Sequence, residues 1–196
     1  VSQPVRDAWK ILFNDIYVQV PRTLGTLPGY RPVLNKNSEK RTSNVYGNVE
    51  LLEVWRKLND APSDRRDAFR LDLITVGRQV LGNYFLDVKM EFDRMVEAKD
   101  YQALKACGEK MKEILNDLDK LNAFHPYCSL DKWMDDARKM GDSPRLKDYY
   151  EKNARNLITT WGGSLNDYAS RSWAGLISDY YAKRWEVYIN TFINAA

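Results

Sequence analysis

Apolar residues recur at intervals of three and four along most of the chain, the spacing that places them on one side of an α-helix. The first stripe begins at Val5 and ends at Val20, and Pro4 suits the first helical turn. Further stripes predict helices at 48–58, 64–98, 100–121, 129–141, 143–161 and 173–196. The sequence lacks the sustained period-two alternation that is typical of strands. It therefore predicts an all-α fold, a single domain of about seven mostly antiparallel helices in an irregular bundle.

One long segment, residues 21–46, interrupts this pattern with three prolines and two glycines. Within it, segment 22–41 has five basic residues and one acidic residue, although the whole chain has a formal net charge of only +3. So small an overall excess gives no argument for a nucleic-acid partner, and we expect none. A solvated or partner-facing loop is the favoured interpretation of the local charge, and anion binding stays open.

The longest predicted helix contains polar residues among its apolar ones. They are Asp72, Thr75, Arg78 and Gln79. A buried arginine or aspartate costs several kcal/mol unless it is paired, so we expect a hydrogen-bonded link between helices here rather than a ligand contact. Gly77 and Gly82 in the same helix indicate a close approach of a neighbouring helix.

The chain offers few residues for catalysis or metal binding. A glycosidase needs two carboxylates about 5 Å apart, or roughly 6.5–9.5 Å apart around a water. The neighbouring acids in this sequence point in different directions on a helix, and solvated helix faces explain them. These pairs are Asp135 with Asp136, Asp117 with Asp119, and Glu91 with Asp93.

Metal, cofactor and membrane binding have equally little support. His125 is the single histidine, and Cys107 and Cys128 lack metal-ligand spacing. Whether the two cysteines form a disulfide stays open. We expect no metal and no cofactor. We also expect no membrane insertion, because no apolar run is long enough to cross a bilayer.

An aromatic residue stands where two of the predicted helices meet. Trp161 is followed by Gly162 and Gly163, which can adopt the positive φ that ends a helix, and then by Asn166 and Tyr168. A sugar ring has an apolar face and a polar rim, so an aromatic plane beside amide groups suits it. Core packing is the competing interpretation of these aromatic residues.

Three motifs resemble the C-terminal domain of glycoside hydrolase family 89, the α-N-acetylglucosaminidases. They are "LDLITVGRQVLGN" at 71–83, "YYEKNARNLITTWGG" at 149–163 and "DYASRSWAGLISDYYAKRWEVYI" at 167–189. The segments "AWKILFNDIY" and "LLEVWRKL" fall in the order that this domain shows, so the resemblance spans nearly the whole chain.

The resemblance implies that residues 1–196 are a helical domain that packs on a catalytic (β/α)8 barrel and helps wall a pocket for terminal α-linked N-acetylglucosamine. The catalytic glutamates of this retaining glycosidase would lie in the barrel, so we expect this chain alone to be inactive and to hold no catalytic residue. The implied substrate-binding residues are Trp161, Tyr168 and Asn166, and the implied structural support comes from Asp72, Arg78 and Arg155. The parent protein would be exported, as a periplasmic, secreted or lysosomal enzyme. A free-standing helical carbohydrate-binding or protein-interaction module is the alternative.

Overall fold

The computed structural model describes residues 1–18, 27–29, 31–34, 47–61, 66–162 and 171–195. Its helices are α1 (Gln3–Ile11), α2 (Asn48–Asn59), α3 (Asp67–Ala98), α4 (Tyr101–Ala123), α5 (Leu130–Lys139), α6 (Pro144–Thr159) and α7 (Ala182–Asn194). Two π-helical turns, Leu12–Ile16 and Ile177–Tyr181, continue α1 and precede α7. Single 3₁₀ turns lie at Leu27–Gly29 and Pro126–Cys128. No strand occurs within these ranges, and the predicted all-α single domain is confirmed.

α1 and its π-helical turn expose more apolar surface than a single buried stripe would. Ala8, Leu12 and Ile16 are buried against α2 and α3. The apolar residues one position further along the chain are exposed, so the sequence stripe divides into a buried and an exposed row. The exposed row consists of Trp9, Phe13 and Tyr17. Val20, the predicted end of the helix, lies outside the described residues.

α2 packs closely on α3 at Gly77. A Cβ atom added to Gly77 would lie 2.6 Å from the Trp55 ring, so only glycine leaves room for that ring. The close approach predicted at Gly77 is therefore confirmed. Val49, in the first turn of α2, is apolar but 77% exposed.

α3 belongs to two hydrophobic clusters. Val76 and Val80 lie in the smaller one with α1 and α2. Phe85 and Phe92 lie in the larger one, which α4, α5, α6 and α7 complete. Trp185 of α7 is fully buried there and meets the Phe85 ring edge-on, with 4.9 Å between centroids.

Local signals for helix ends are mostly confirmed. The Asp100 carboxylate and the hydroxyls of Ser129 and Ser143 accept hydrogen bonds from the first-turn amides of α4, α5 and α6. Gly141 follows α5 without a positive φ, which among the described glycines occurs at Gly162 and Gly175. A Cβ on Gly141 would lie 2.6 Å from the Lys147 amide nitrogen, so this glycine serves the close approach of α6.

Side chains of α3 and α7 hold the described part of the segment between α1 and α2. Each of three side chains donates a hydrogen bond to a backbone carbonyl of that segment. The bonds are Trp185 Nε1 to Pro28 O (3.0 Å), Arg184 Nη2 to Gly29 O (3.3 Å) and Lys89 Nζ to Val33 O (2.7 Å). The rest of segment 21–46 lies outside the described residues.

A buried ion pair within α3 is hydrogen-bonded to α7. Lys89 and Asp93 are 5% and 3% exposed, and the Lys89 ammonium donates to the Asp93 carboxylate. The Tyr188 hydroxyl donates to the same carboxylate at 3.1 Å. Burial, and then the Asp93 charge, raise the pKa of Tyr188 above its ordinary value. The interpretation of Asp93 as a solvated acid is therefore wrong, because its partners compensate its burial.

Candidate functional site

Trp161 lies at the exposed end of α6. The amides of Thr160 and Trp161 both donate to Asn156 O, at 3.1 and 2.9 Å. Gly162 follows with a φ of 90°, the positive value expected where the helix ends. The Trp161 side chain is 46% exposed, so it is not a core residue. About half of the residue faces solvent at the surface of the domain.

The other two predicted sugar-binding residues, Asn166 and Tyr168, lie outside the described residues, as does Gly163. The described chain leaves off at Gly162 and resumes at Arg171. The described part of the candidate site therefore consists of the residues on either side of this interval. We call residues 159–162 and 171–176 together the Trp161 corner, and residues 171–176 alone the return segment.

Hydrogen bonds fix the return segment at several points. The Arg171 amide donates to the Tyr181 hydroxyl at 3.1 Å. A short parallel bridge pairs Ala174 with Ser129, just before α5. The Ala174 amide donates to Cys128 O at 2.8 Å, and the Ala174 carbonyl accepts from the Leu130 amide at 2.9 Å. The return segment is thus held by α5 and by the π-helical turn before α7.

Aromatic side chains join the return segment to α5 and α6. The rings of Trp133 and Trp173 lie 5.7 Å apart. The Trp133 indole N–H also donates to Ala154 O of α6 at 3.2 Å. Tyr180 reaches the last turn of α6, with its hydroxyl 3.5 Å from Thr159 O. Both sides of the Trp161 corner therefore rest on one aromatic scaffold.

Sequence reasoning missed Asp119, which anchors the return segment from α4. Its Oδ1 atom accepts hydrogen bonds from the amides of Gly175 (2.8 Å) and Ser178 (3.0 Å). These amides open the last helical stretch and would otherwise lack partners within it. The solvated interpretation of Asp119 is therefore wrong. Its partners lie more than fifty residues away in sequence, and no local signal points to them.

Arg78 is the predicted support residue that reaches the corner. Its Nη1 atom donates to Ser172 O in the return segment at 3.3 Å. Burial lowers the pKa of the guanidinium from its ordinary value, but an arginine keeps its charge at neutral pH. Gln79 bonds within α3 itself, where its amide donates to Asn83 Oδ1 at 2.8 Å. Asn83 in turn donates to Asn48 Oδ1 of α2 at 3.1 Å, so the link between helices runs through Asn83. Thr75 is exposed.

Arg155 and Asp72 have partners elsewhere. Arg155 binds Glu151 Oε1 through Nε and Nη2, at 2.9 and 2.7 Å. Glu151 also accepts from Arg138 of α5 at 2.6 Å, so this network joins α5 to α6. Asp72 is half-buried near Tyr17, and its charge adds to the effect of burial in raising the pKa of that phenol. The structure thus places Arg78 against the return segment, Arg155 on the α5–α6 face and Asp72 towards α1.

The described residues give little support for chemistry of their own. Across the described ranges, no group of three or more histidines, cysteines and acids is placed to hold a metal ion. Cys107 and Cys128 are free thiols, and burial raises the pKa of each, which lowers its thiolate fraction at neutral pH. His125 is buried and its Nδ1 accepts from the Tyr127 amide at 3.2 Å, which caps a 3₁₀ turn. None of the described helices is long and apolar enough to cross a bilayer.

A shallow depression of about 310 Å³ lies on α6. Its lining is entirely charged and consists of Asp148, Glu151, Lys152 and Arg155. Pockets for small molecules are mostly apolar with a few polar groups, so this depression is a solvated helix face rather than a ligand site.

Comparison with known proteins shows the family of the chain. Over residues 1–196 the sequence matches the family described as Alpha-N-acetylglucosaminidase (NAGLU) C-terminal domain. The chain belongs to this family. The resemblance carried by the three sequence motifs is therefore confirmed. A human relative, Alpha-N-acetylglucosaminidase, is 31% identical over 173 residues, which are 84% of this chain and 23% of that protein.

Solved structures of family 89 enzymes share the fold of this NAGLU C-terminal domain. The Clostridium perfringens family 89 glycoside hydrolase in complex with 2-acetamido-1,2-dideoxynojirmycin matches all of this chain, with a TM-score of 0.86 and 24% identity. A variant of that enzyme with two glutamates replaced by glutamine, in complex with its substrate GlcNAc-alpha-1,4-galactose, also matches all of the chain, with a TM-score of 0.86 and 26% identity. The chain covers 24% of each of these, so it spans about a quarter of the length of its relatives.

Proposed function

We propose that this chain is the C-terminal helical domain of an α-N-acetylglucosaminidase whose catalytic (β/α)8 barrel lies in the same protein. Residues 1–196 would form one domain that packs on the barrel. The Trp161 corner would help wall the pocket for terminal α-linked N-acetylglucosamine. The parent protein would be exported to a periplasmic, secreted or lysosomal location.

The single observation that carries this proposal is the exposed Trp161 on a rigid corner, in a chain whose family is that of the NAGLU C-terminal domain. An indole that is 46% exposed offers an apolar plane to the C–H face of a sugar. The return segment and the end of α6 are each tied to the core, which holds both described sides of the Trp161 corner in place. Asn166 and Tyr168 would add polar contacts from that loop.

The role follows from positioning rather than from bond cleavage. A wall residue that contacts the sugar would hold the scissile bond against carboxylates supplied by the barrel. The substrate class in this proposal comes from two relatives, the human protein named Alpha-N-acetylglucosaminidase and the C. perfringens enzyme in complex with GlcNAc-alpha-1,4-galactose.

The test is Trp161→Ala in the full-length protein, measured with an aryl α-N-acetylglucosaminide. Loss of an aromatic contact worth about 1.5–3 kcal/mol should lower kcat/KM by roughly 10- to 150-fold. Asn166→Ala and Tyr168→Ala should lower it in the same way.

Tyr149→Ala is the matched control, because Tyr149 is an aromatic residue of α6 that is 57% exposed but lies twelve positions before Trp161. Its kcat/KM should stay at the unsubstituted value. An unchanged kcat/KM in Trp161→Ala would remove Trp161 from the pocket wall.

A further inference from the structure

Three aromatic side chains form an exposed row on α1 and its π-helical turn. Trp9, Phe13 and Tyr17 are 41%, 69% and 59% exposed. They are four residues apart, so they lie on one side of the helix. The rings of Trp9 and Tyr17 meet edge-on with 6.2 Å between centroids. We call these three residues the α1 aromatic row.

The helix does not need this row for its own packing. Ala8, Leu12 and Ile16 already fill the contact with α2 and α3. At about 200 Å² per aromatic side chain, the row leaves roughly 300 Å² of apolar surface in water. Contiguous patches of this size on soluble proteins are often functional contact sites. The π-helical turn at Leu12–Ile16 lies in the middle of the row, and such turns frequently occur at functional sites.

The identity of the occupant follows from the relatives. The family is defined as a C-terminal domain, and the relatives are about four times as long as this chain, so the rest of such a protein precedes the domain. α1 is the first element of the domain and lies next to that junction. A surface beside the junction meets the preceding polypeptide at an effective concentration in the millimolar range, far above that of any free partner.

We propose that the α1 aromatic row docks into an apolar groove on the catalytic part of the same protein. The row supplies the apolar centre of the interface, and the neighbouring charged residues Arg6, Asp7 and Lys10 form its polar rim. This assignment names the face of the domain that turns towards the catalytic part, and it rests on the proposed function in taking the preceding polypeptide to be catalytic.

Photo-crosslinking in the full-length protein tests the contact directly. Phe13 is replaced by p-benzoylphenylalanine, which keeps an aromatic ring at the position, and the irradiated protein is digested and its linked peptides are identified. We expect links from position 13 to peptides that precede this domain. The control is the same replacement at Phe124, which is 76% exposed at the end of α4, and it should give no such links. Links only within the domain, links between two molecules, or no links at position 13 would each overturn the proposal.

Hydrogen exchange of a second variant gives an independent measure. Phe13→Glu in the full-length protein should speed amide exchange of α1 and of its upstream contact roughly tenfold, because a carboxylate disrupts an apolar contact. Phe124→Glu should leave both regions unchanged. Equal exchange in the two variants would contradict the docking surface.

The outcomes separate this inference from the proposed function. If crosslinking fails while Trp161→Ala still lowers kcat/KM, the pocket wall stands and the docking face lies elsewhere. If crosslinking succeeds while Trp161→Ala leaves kcat/KM unchanged, the docking face stands and the pocket-wall assignment falls.

Discussion

Burial in the folded domain disfavours the ionised form of the Asp72 carboxyl group. Burial raises its pKa above the ordinary value, so the folded state holds the proton more tightly than the unfolded state does. Stability therefore falls as the pH rises through the titration of this group, and at neutral pH the ionised carboxylate is destabilising. Below the ordinary pKa the group is neutral in both states and this cost disappears.

Asp72→Asn should accordingly raise the melting temperature at neutral pH, and the gain should shrink as the pH falls below about 4. Thermal unfolding followed by circular dichroism at both pH values measures this. Asp135→Asn, at an exposed position of α5, is the control and should show no comparable gain. A lower melting temperature of Asp72→Asn at neutral pH would mean that the carboxylate makes a stabilising contact instead.

Which single residues could be predicted depends on how far away their partners are in sequence. The caps Asp100, Ser129 and Ser143 were predictable because each bonds an amide two or three residues ahead. The roles of Asp93 and Asp119 were not, because Tyr188 and Gly175 lie 95 and 56 residues away from them. Only the fold brings such partners together.

At the scale of elements, apolar spacing predicted the helices well but assigned some faces wrongly. Ala8 and Phe13 belong to one continuous apolar pattern, yet the first is buried and the second exposed. A helix with apolar residues on both a buried and an exposed row shows one wide apolar stripe in its sequence. Spacing alone does not tell which residues of that stripe are buried. The break after α6 was predictable, because the positive φ at Gly162 favours glycine.

The return segment depends on one carboxylate from another helix. Asp119→Ala removes two hydrogen bonds at a part-buried site, each worth about 1–2 kcal/mol, and should lower the free energy of unfolding by roughly 2–4 kcal/mol. Asp119→Asn keeps an oxygen acceptor and should lose about half as much. Urea unfolding monitored by tryptophan fluorescence gives these values.

Asp117→Ala provides the matched control, since Asp117 lies two residues earlier on the same helix and is exposed. Its free energy of unfolding should stay within about 0.5 kcal/mol of the unsubstituted chain. If Asp119→Ala behaved like Asp117→Ala, the carboxylate would not be an anchor of the return segment.

At the scale of the whole molecule, the Lys89–Asp93 pair connects three parts of the chain. Lys89 bonds Val33 O in the segment between α1 and α2, while Asp93 accepts from Tyr188 of α7. Lys89→Met leaves a buried carboxylate without its cation and should cost about 3–5 kcal/mol of unfolding free energy. Adding Asp93→Asn should recover part of this loss, because no charge then stays buried. Chemical denaturation of the single and double variants measures both effects.

Arg94→Met tests whether burial of the ion pair causes the loss of unfolding free energy in Lys89→Met. Arg94 pairs with Glu91 one turn away on the same helix, but that pair is exposed and should contribute less than about 1 kcal/mol. Equal losses in Lys89→Met and Arg94→Met would contradict the assignment of a buried anchor.

The candidate site was predictable only in part. Family motifs led to Trp161 because the aromatic-glycine break is visible in sequence, and its exposure agrees with a surface role. The scaffold beneath it was not visible, since Trp133 and Trp173 are 40 residues apart and meet only through the packing of α5 against the return segment.

α3 runs through both hydrophobic clusters, and Arg78, which holds the return segment, stands between Val76 and Val80 of the smaller one. A change in the packing between α2 and α3 would therefore tilt α3 and move this arginine with it. Such a change would leave the larger cluster intact and still shift the Ser172 carbonyl that Arg78 holds. A substitution at Leu51 or Val54 should therefore loosen the return segment as well as the local core, because both side chains pack in the cluster on which this part of α3 rests.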